Sequence, residues 1–290
     1  MSHAAATAAP TAAGGRRRRP STLTVLRWEL RKLISQKRTY LGLALGAIPP
    51  LIFVVFWNFH QGPDRHGGIF ATEITQSGLA TPVLMLLFES AFLLPLITAL
   101  VSGDIVAAED SNGTLKTILT RSADRGQVFA AKTFAAMAYA VAAVFGAAAI
   151  ATIAGVASWG FHHVITLSDT VVSAPEGLLL VVAANAFVLI PLLTVASIGV
   201  LLSTVTRNSA ASVVGAIGVV IVLYIVTAIP GLEAIHPYLL TEQLQAWQGL
   251  MRTPTDWAPI THSAWVCALY ALPALFVAYL VFLRRDVAGD

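Results

Sequence analysis

The chain has 290 residues, of which 57% are hydrophobic and only 11% charged, with a net charge of +3. A mean hydropathy of +0.76 excludes an ordinary soluble domain, in which about a quarter of residues carry charge, and is that of a polytopic membrane protein. The single cysteine, Cys267, excludes an intramolecular disulfide.

Residues 1–20 are an Ala/Thr/Pro/Gly tract ending in Arg16-Arg17-Arg18-Arg19. Too little apolar area is present to offset chain entropy, so a disordered basic tail is predicted. Arg27, Glu29, Arg31 and Lys32 follow at once, where a secretory signal would continue as an uninterrupted apolar core. Within residues 21–38, Ser21 or Thr22 can cap a helix running to about Gln36. It carries Leu23, Leu26, Leu30, Leu33 and Ile34 on one side and Arg27, Arg31 and Lys32 on the other. Such an amphipathic helix lies at a membrane interface, with Trp28 as its anchor.

Six apolar runs follow within residues 39–285, each near the roughly 20 residues that cross a bilayer. They span approximately 40–59, 81–102, 134–157, 178–204, 212–229 and 262–283, and residues 286–290 form a short tail. Pro49, Pro50, Pro95, Pro191 and Pro273 sit inside these runs, where each removes a backbone hydrogen bond. The fold class predicted is therefore all-α and integral to the membrane: six spans preceded by an interfacial helix.

With the N-terminus in the cytoplasm, 16 of the 18 Lys and Arg residues fall inside and only Arg65 and Arg252 outside. The positive-inside rule then sets both termini in the cytoplasm. Seven carboxylates, among them Asp169, Glu176, Glu233, Glu242 and Asp256, fall on the outside.

The polar stretch 104–132, between the second and third runs, is cytoplasmic in this orientation. Leu115, Ile118 and Leu119 fall at i, i+3 and i+4, giving a short helix with one apolar face, while Lys116, Thr117 and Thr120 face elsewhere. Two turns of helix cannot bury such a stripe alone, so it requires a partner surface.

Read together, Glu109, Gly113-Thr114-Leu115-Lys116, Leu119, Arg121-Ser122, Arg125 and Lys132 form the pattern E-x3-GTLK-x2-L-x-R-S-x2-R-x6-K. With six spans and a basic amphipathic helix ahead of the first, this resembles the permease subunit of a type-2 ABC transporter. The resemblance runs from Leu23 to Arg285, although only the loop is motif-grade, and the proline often found in the family's second turn is absent.

The resemblance implies that the loop is a coupling helix docking on an ATP-binding subunit through Glu109, Gly113, Thr114, Leu115, Lys116, Ile118, Leu119, Arg121, Arg125 and Lys132. It further implies two copies of that subunit, a second permease, identical or homologous, and export across the plasma membrane of a drug, peptide antibiotic, lipid or similar molecule. The helical segment 231–260, with Trp247, is similar to the family's partly re-entrant outside segment.

No phosphate loop G-x4-G-K-[ST] is present, so ATP and Mg2+ are expected in the partner and no cofactor or nucleic acid in this chain. Nor is there an H-E-x-x-H, C-x-x-C or G-x-S-x-G pattern, and no catalytic residue is predicted.

Glu89 is an acidic residue near mid-membrane, where an ionisable side chain is a functional candidate. Asn185 is expected to bond between helices, and Ala211, Gly215 and Gly218 give the fifth run a face of small residues. By resemblance, Glu89, Gly215 and Gly218 are candidates for the transport path. His60, His66, His162, His163, His236 and His262 lack a tight ligand spacing and are read as solvated, not as metal ligands. Two other classes stand beside the permease: a secondary transporter, which would show an internal repeat not found here, and a membrane scaffold or immunity protein.

Overall fold

The structure, a computed structural model, describes residues 21–59, 76–114 and 124–284. Helix α1 (Thr22–Ile34) starts at Ser21, whose hydroxyl accepts the Thr24 backbone N–H at 3.3 Å. A bend at Ser35-Gln36 leads into α2 (Lys37–Phe59), the first of six helices long and apolar enough to cross a membrane.

The second span is broken into pieces: α3 (Ala80–Phe88), a π-helical turn (Glu89–Leu93), α4 (Leu94–Asp104) and α5 (Ala107–Ser111). Pro95 accounts for the π turn. Its ring lacks an N–H and crowds the preceding turn, so the backbone widens and the Leu94 N–H reaches back to the Glu89 carbonyl.

The remaining spans are α6 (Arg125–Trp159), α7 (Ala174–Thr206), α8 (Ser209–Thr227) and α10 (Trp257–Leu283). Between α8 and α10 the chain forms a 3-10 turn (Glu233–Tyr238), the short helix α9 (Leu240–Gln243) and a second 3-10 turn (Ala246–Met251). Leu240, Leu244, Trp247 and Met251 turn into the bundle and are buried there. A small antiparallel ladder, β1 (Val164–Ile165) with β2 (Val171–Val172), closes the α6–α7 connection of an otherwise all-α fold.

Helix α7 is the hub, packed against α4, α6, α8 and α10, while α1 and α2 lie along α6. Small residues allow the closest approaches. A Cβ on Gly199 of α7 would stand 2.0 Å from Ser102 Oγ on α4, and one on Gly155 of α6 would stand 2.3 Å from the Gly78 carbonyl oxygen. Leu41, Leu45, Ile48 and Ile52 on α2, with Leu269, Leu272 and Phe276 on α10, face outward as apolar belts that match a hydrocarbon solvent.

Two sequence expectations shift. The third span opens at Arg125, nine residues before the apolar run, because Asp124 and Gln127 pair at its start and the helix continues past the membrane boundary: the Asp124 N–H donates to Gln127 Oε1 at 3.3 Å. Helix α1, expected to lie on the membrane interface, packs against the bundle, with Leu26 and Leu30 partly buried against the core. Val25, Glu29 and Leu33, at i, i+4 and i+8, are the buried positions, and Leu23 and Ile34 are exposed.

Candidate coupling site

The buried stripe of α1 carries a carboxylate, and this organises one end of the bundle. Glu29 meets Lys132, on the second turn of α6, with Nζ to Oε1 at 3.0 Å. Lys132 also reaches Glu109 Oε2 on α5 at 2.5 Å, and Glu109 Oε1 pairs with Lys32 of α1. Lys132 is 0% exposed, Glu109 2% and Glu29 7%, so three of the four charges are removed from water. Two ammoniums and two carboxylates alternate, leaving the cluster neutral. Burying charges is tolerated only with such mutual compensation.

A second polar contact lies at the same end. Asp104, at the end of α4, is buried and pairs with Arg38 at the start of α2 and with the hydroxyl of Ser209 at the start of α8. Between α4 and α5 the backbone breaks at Ile105-Val106. Ser203 of α7 accepts the N–H groups of Val106 and Ala107 at 3.0 and 2.9 Å, satisfying donors that open α5. Seven helices, α1, α2 and α4 to α8, thus meet in these contacts at one end of the bundle.

The residues grouped from the sequence as docking groups divide by position. Glu109 and Lys132 are interior ion-pair partners, not surface contacts, since each finds its counter-charge inside the bundle. Arg125 donates from Nη1 to the Leu283 carbonyl oxygen at 2.7 Å, closing the end of α10. Gly113 has φ +69° and nothing within 4 Å of an added Cβ, so its glycine is required by backbone conformation rather than by crowding. Thr114 is exposed, its hydroxyl donating to the Glu109 carbonyl oxygen at 3.2 Å. Leu115, Lys116, Ile118, Leu119 and Arg121 lie outside the described residues.

On α1, Arg27, Trp28 and Arg31 are exposed and Lys32 leans into the ion-pair cluster. Glu29, Arg38, Asp104, Ser203 and Ser209 were not singled out from the sequence as site residues. Glu29 carries a readable signal, its four-residue spacing from the apolar Val25 and Leu33. The contacts of Asp104 and Ser203 depend on which helices become neighbours.

The mid-span candidates separate as well. Glu89 is 4% exposed at the start of the π turn, and its Oε1 has no hydrogen-bond partner among the described residues. Asn185 does not bond across helices: its Nδ2 donates to the Val181 carbonyl oxygen of its own helix at 2.9 Å, the four-residue spacing making that contact local. The close contact of α8 is made at Ser212 and Ala216 against Gly103, whereas Gly218 has nothing within 4 Å of an added Cβ and Gly215 meets only Leu202 Cδ1 at 3.7 Å. Among the described residues no three His, Cys, Asp or Glu side chains stand together as a metal would need. His60 and His66 lie outside them.

Six apolar helices in one bundle, with ionisable side chains at its ends and in compensated clusters apart from Glu89, define a multi-pass α-helical membrane protein. The family model described as "Protein of unknown function (DUF2705)" matches residues 50–288, and the chain belongs to that family. No curated protein matches the chain.

Proposed function

We propose that this chain is the membrane-spanning permease subunit of an ATP-driven exporter, coupled to a separate ATP-binding subunit through residues 109–121. The observation that carries the reading is Glu109. It lies four residues before the GTLK segment, and it is held from two sides, by Lys32 on α1 and Lys132 on α6. A docking helix transmits force only if its root cannot yield, and a buried ion-pair cluster that ties the end of the second span to α1 and to the third span supplies such a root.

In this reading both termini are cytoplasmic in the plasma membrane, and ATP and Mg2+ bind the partner. Two ATP-binding subunits serve a pair of permeases. The outward face of α8 that carries Gly215 and Gly218 suits close approach of the second permease. Glu89 belongs to the transport path, and the cargo is a drug, peptide antibiotic, lipid or similar molecule.

The test is co-purification with the ATPase encoded beside this chain, comparing wild type with the double variant Leu115→Asp, Leu119→Asp. Loss of the complex or of coupled ATP hydrolysis supports the reading. An ATPase that never associates, or that binds and works equally well with the variant, leaves a secondary transporter or a scaffold as the better description.

A further inference from the structure

At the end of the bundle opposite α1, the chain between α8 and α10 borders an open cleft of about 580 Å3. Its size is that of a small-molecule site. Apolar walls come from Pro237, Ala246 and Pro259, and the polar lining includes Glu242, three glutamines, Asp256 and His262.

The hydrogen bonds of that lining run in one sense. Gln243, 3% exposed, spends its amide N–H groups on two backbone carbonyls, Pro237 at 2.6 Å and Leu239 at 3.1 Å. Carbonyl oxygens only accept, so the amide orientation is fixed and Oε1 is the atom left over. Gln245 likewise gives Nε2 to the Leu87 carbonyl at 3.5 Å and to Ser90 Oγ at 3.3 Å. Its Oε1 accepts Gln248 Nε2 at 2.9 Å, which leaves Gln248 Oε1 without a donor among the described residues. His262 directs Nε2 at the Pro237 carbonyl, 2.8 Å away, so in the neutral ring Nδ1 is a third unused acceptor. The Glu242 carboxylate has no ion-pair partner among the described residues, and Arg252, the one cation in the lining, lies 4.0 Å from Asp256.

We propose that this cleft binds a small organic cation through its N–H donors, an ammonium or guanidinium group held by the oxygens of Glu242, Gln243 and Gln248. Gln243 and Gln245 spend their N–H groups within the protein, so the donors still open to a ligand are one Gln248 N–H and the exposed guanidinium of Arg252 beside Asp256. A donor bearing positive charge meets oxygens on several sides, and hydrogen bonds to charged groups are the stronger kind. Gln245 connects the site to the second span, since its amide is bound at Leu87 and Ser90, beside Glu89. The proposal stands without the ATPase partner, and its test uses none.

The experiment titrates the full chain in lipid nanodiscs with benzylamine, with benzyl alcohol and benzoate as uncharged and anionic controls, read by calorimetry and by the shift in melting temperature. Saturable binding of benzylamine alone is expected, weakened at least about tenfold by Glu242→Gln and similarly by Gln248→Met. Glu242 is exposed and Gln248 half-buried, so neither substitution removes core packing, and elution as a single folded species checks this. Absence of benzylamine binding, equal binding of benzyl alcohol or benzoate, or unchanged binding in both variants overturns the proposal.

Discussion

Lys132 Nζ stands 3.0 Å from Glu29 and 2.5 Å from Glu109, one ammonium shared by carboxylates from two other helices. Lys132→Met keeps most of the side-chain volume but leaves two buried carboxylates with Lys32 as their one remaining counter-charge. Breaking a buried pair from one side costs about 3 to 5 kcal/mol. The expected result is a fall in melting temperature on the order of 10 °C in detergent, at roughly 2 to 4 °C per kcal/mol for a chain of this size. The double variant Glu29→Met, Lys132→Met removes a whole pair and leaves Glu109 with Lys32, so it recovers most of the loss. Equal melting of single and double variants would refute the shared-charge account.

The Asp104 cluster should respond differently, because one of its members is neutral. Ser209→Ala deletes a hydroxyl on the carboxylate while Arg38 remains in place, and a hydrogen bond to a charged group contributes about 1.5 to 3 kcal/mol. Asp104→Leu strands Arg38, which is about one-third exposed and can turn to water. Melting should therefore drop by a few degrees for Ser209→Ala. Arg38→Met, which leaves the buried carboxylate with only Ser209, should cost more than Asp104→Leu.

How much of this was legible beforehand follows from the range of each interaction. The six apolar runs were readable because span length and hydrocarbon thickness are local matters, and the Ser21 cap because it acts within one turn. The π turn was half-legible: Pro95 announces a disturbance, but whether it resolves as a kink or a widened turn depends on packing. The interior role of Glu109 and Lys132 was hidden, since a motif names residue types and not which way they face. Glu29 was read as an interruption of a signal-like run, although its spacing from Val25 and Leu33 already put it on a buried stripe. Gly215 and Gly218 are the converse case. A run of small residues permits close packing, yet α8 presents Ser212 and Ala216 to its neighbour instead.

That contrast yields a paired prediction. Gly199→Ala sets a methyl 2.0 Å from Ser102 Oγ with backbone 3.1 Å away at Gly103, so α4 and α7 must separate, and overpacking of this kind costs about 1 to 3 kcal/mol. Gly218→Ala meets nothing within 4 Å and gains helix propensity, so the isolated subunit should melt at or slightly above the wild-type temperature. If the face of Gly218 packs on a second permease, the same change weakens the pairing, which crosslinking in native membranes would register while melting of the isolated subunit does not.

Ser203 offers the most local test of the root of the loop. Its hydroxyl oxygen accepts two backbone N–H groups, Val106 at 3.0 Å and Ala107 at 2.9 Å, at a site closed to water. Ser203→Ala removes the acceptor without adding bulk, leaving two buried donors unmet at about 1 to 3 kcal/mol each. The break between α4 and α5 should then open more often, and hydrogen exchange should speed up in a peptide covering 105–111 while peptides from α7 itself stay protected. Ser203→Thr keeps the oxygen and should preserve protection if its methyl is accommodated. Faster exchange confined to 105–111 in the alanine variant would show that α7 holds the root of the loop through this one oxygen; unchanged exchange there would assign the hold to the ion pairs of Glu109 and Asp104 instead.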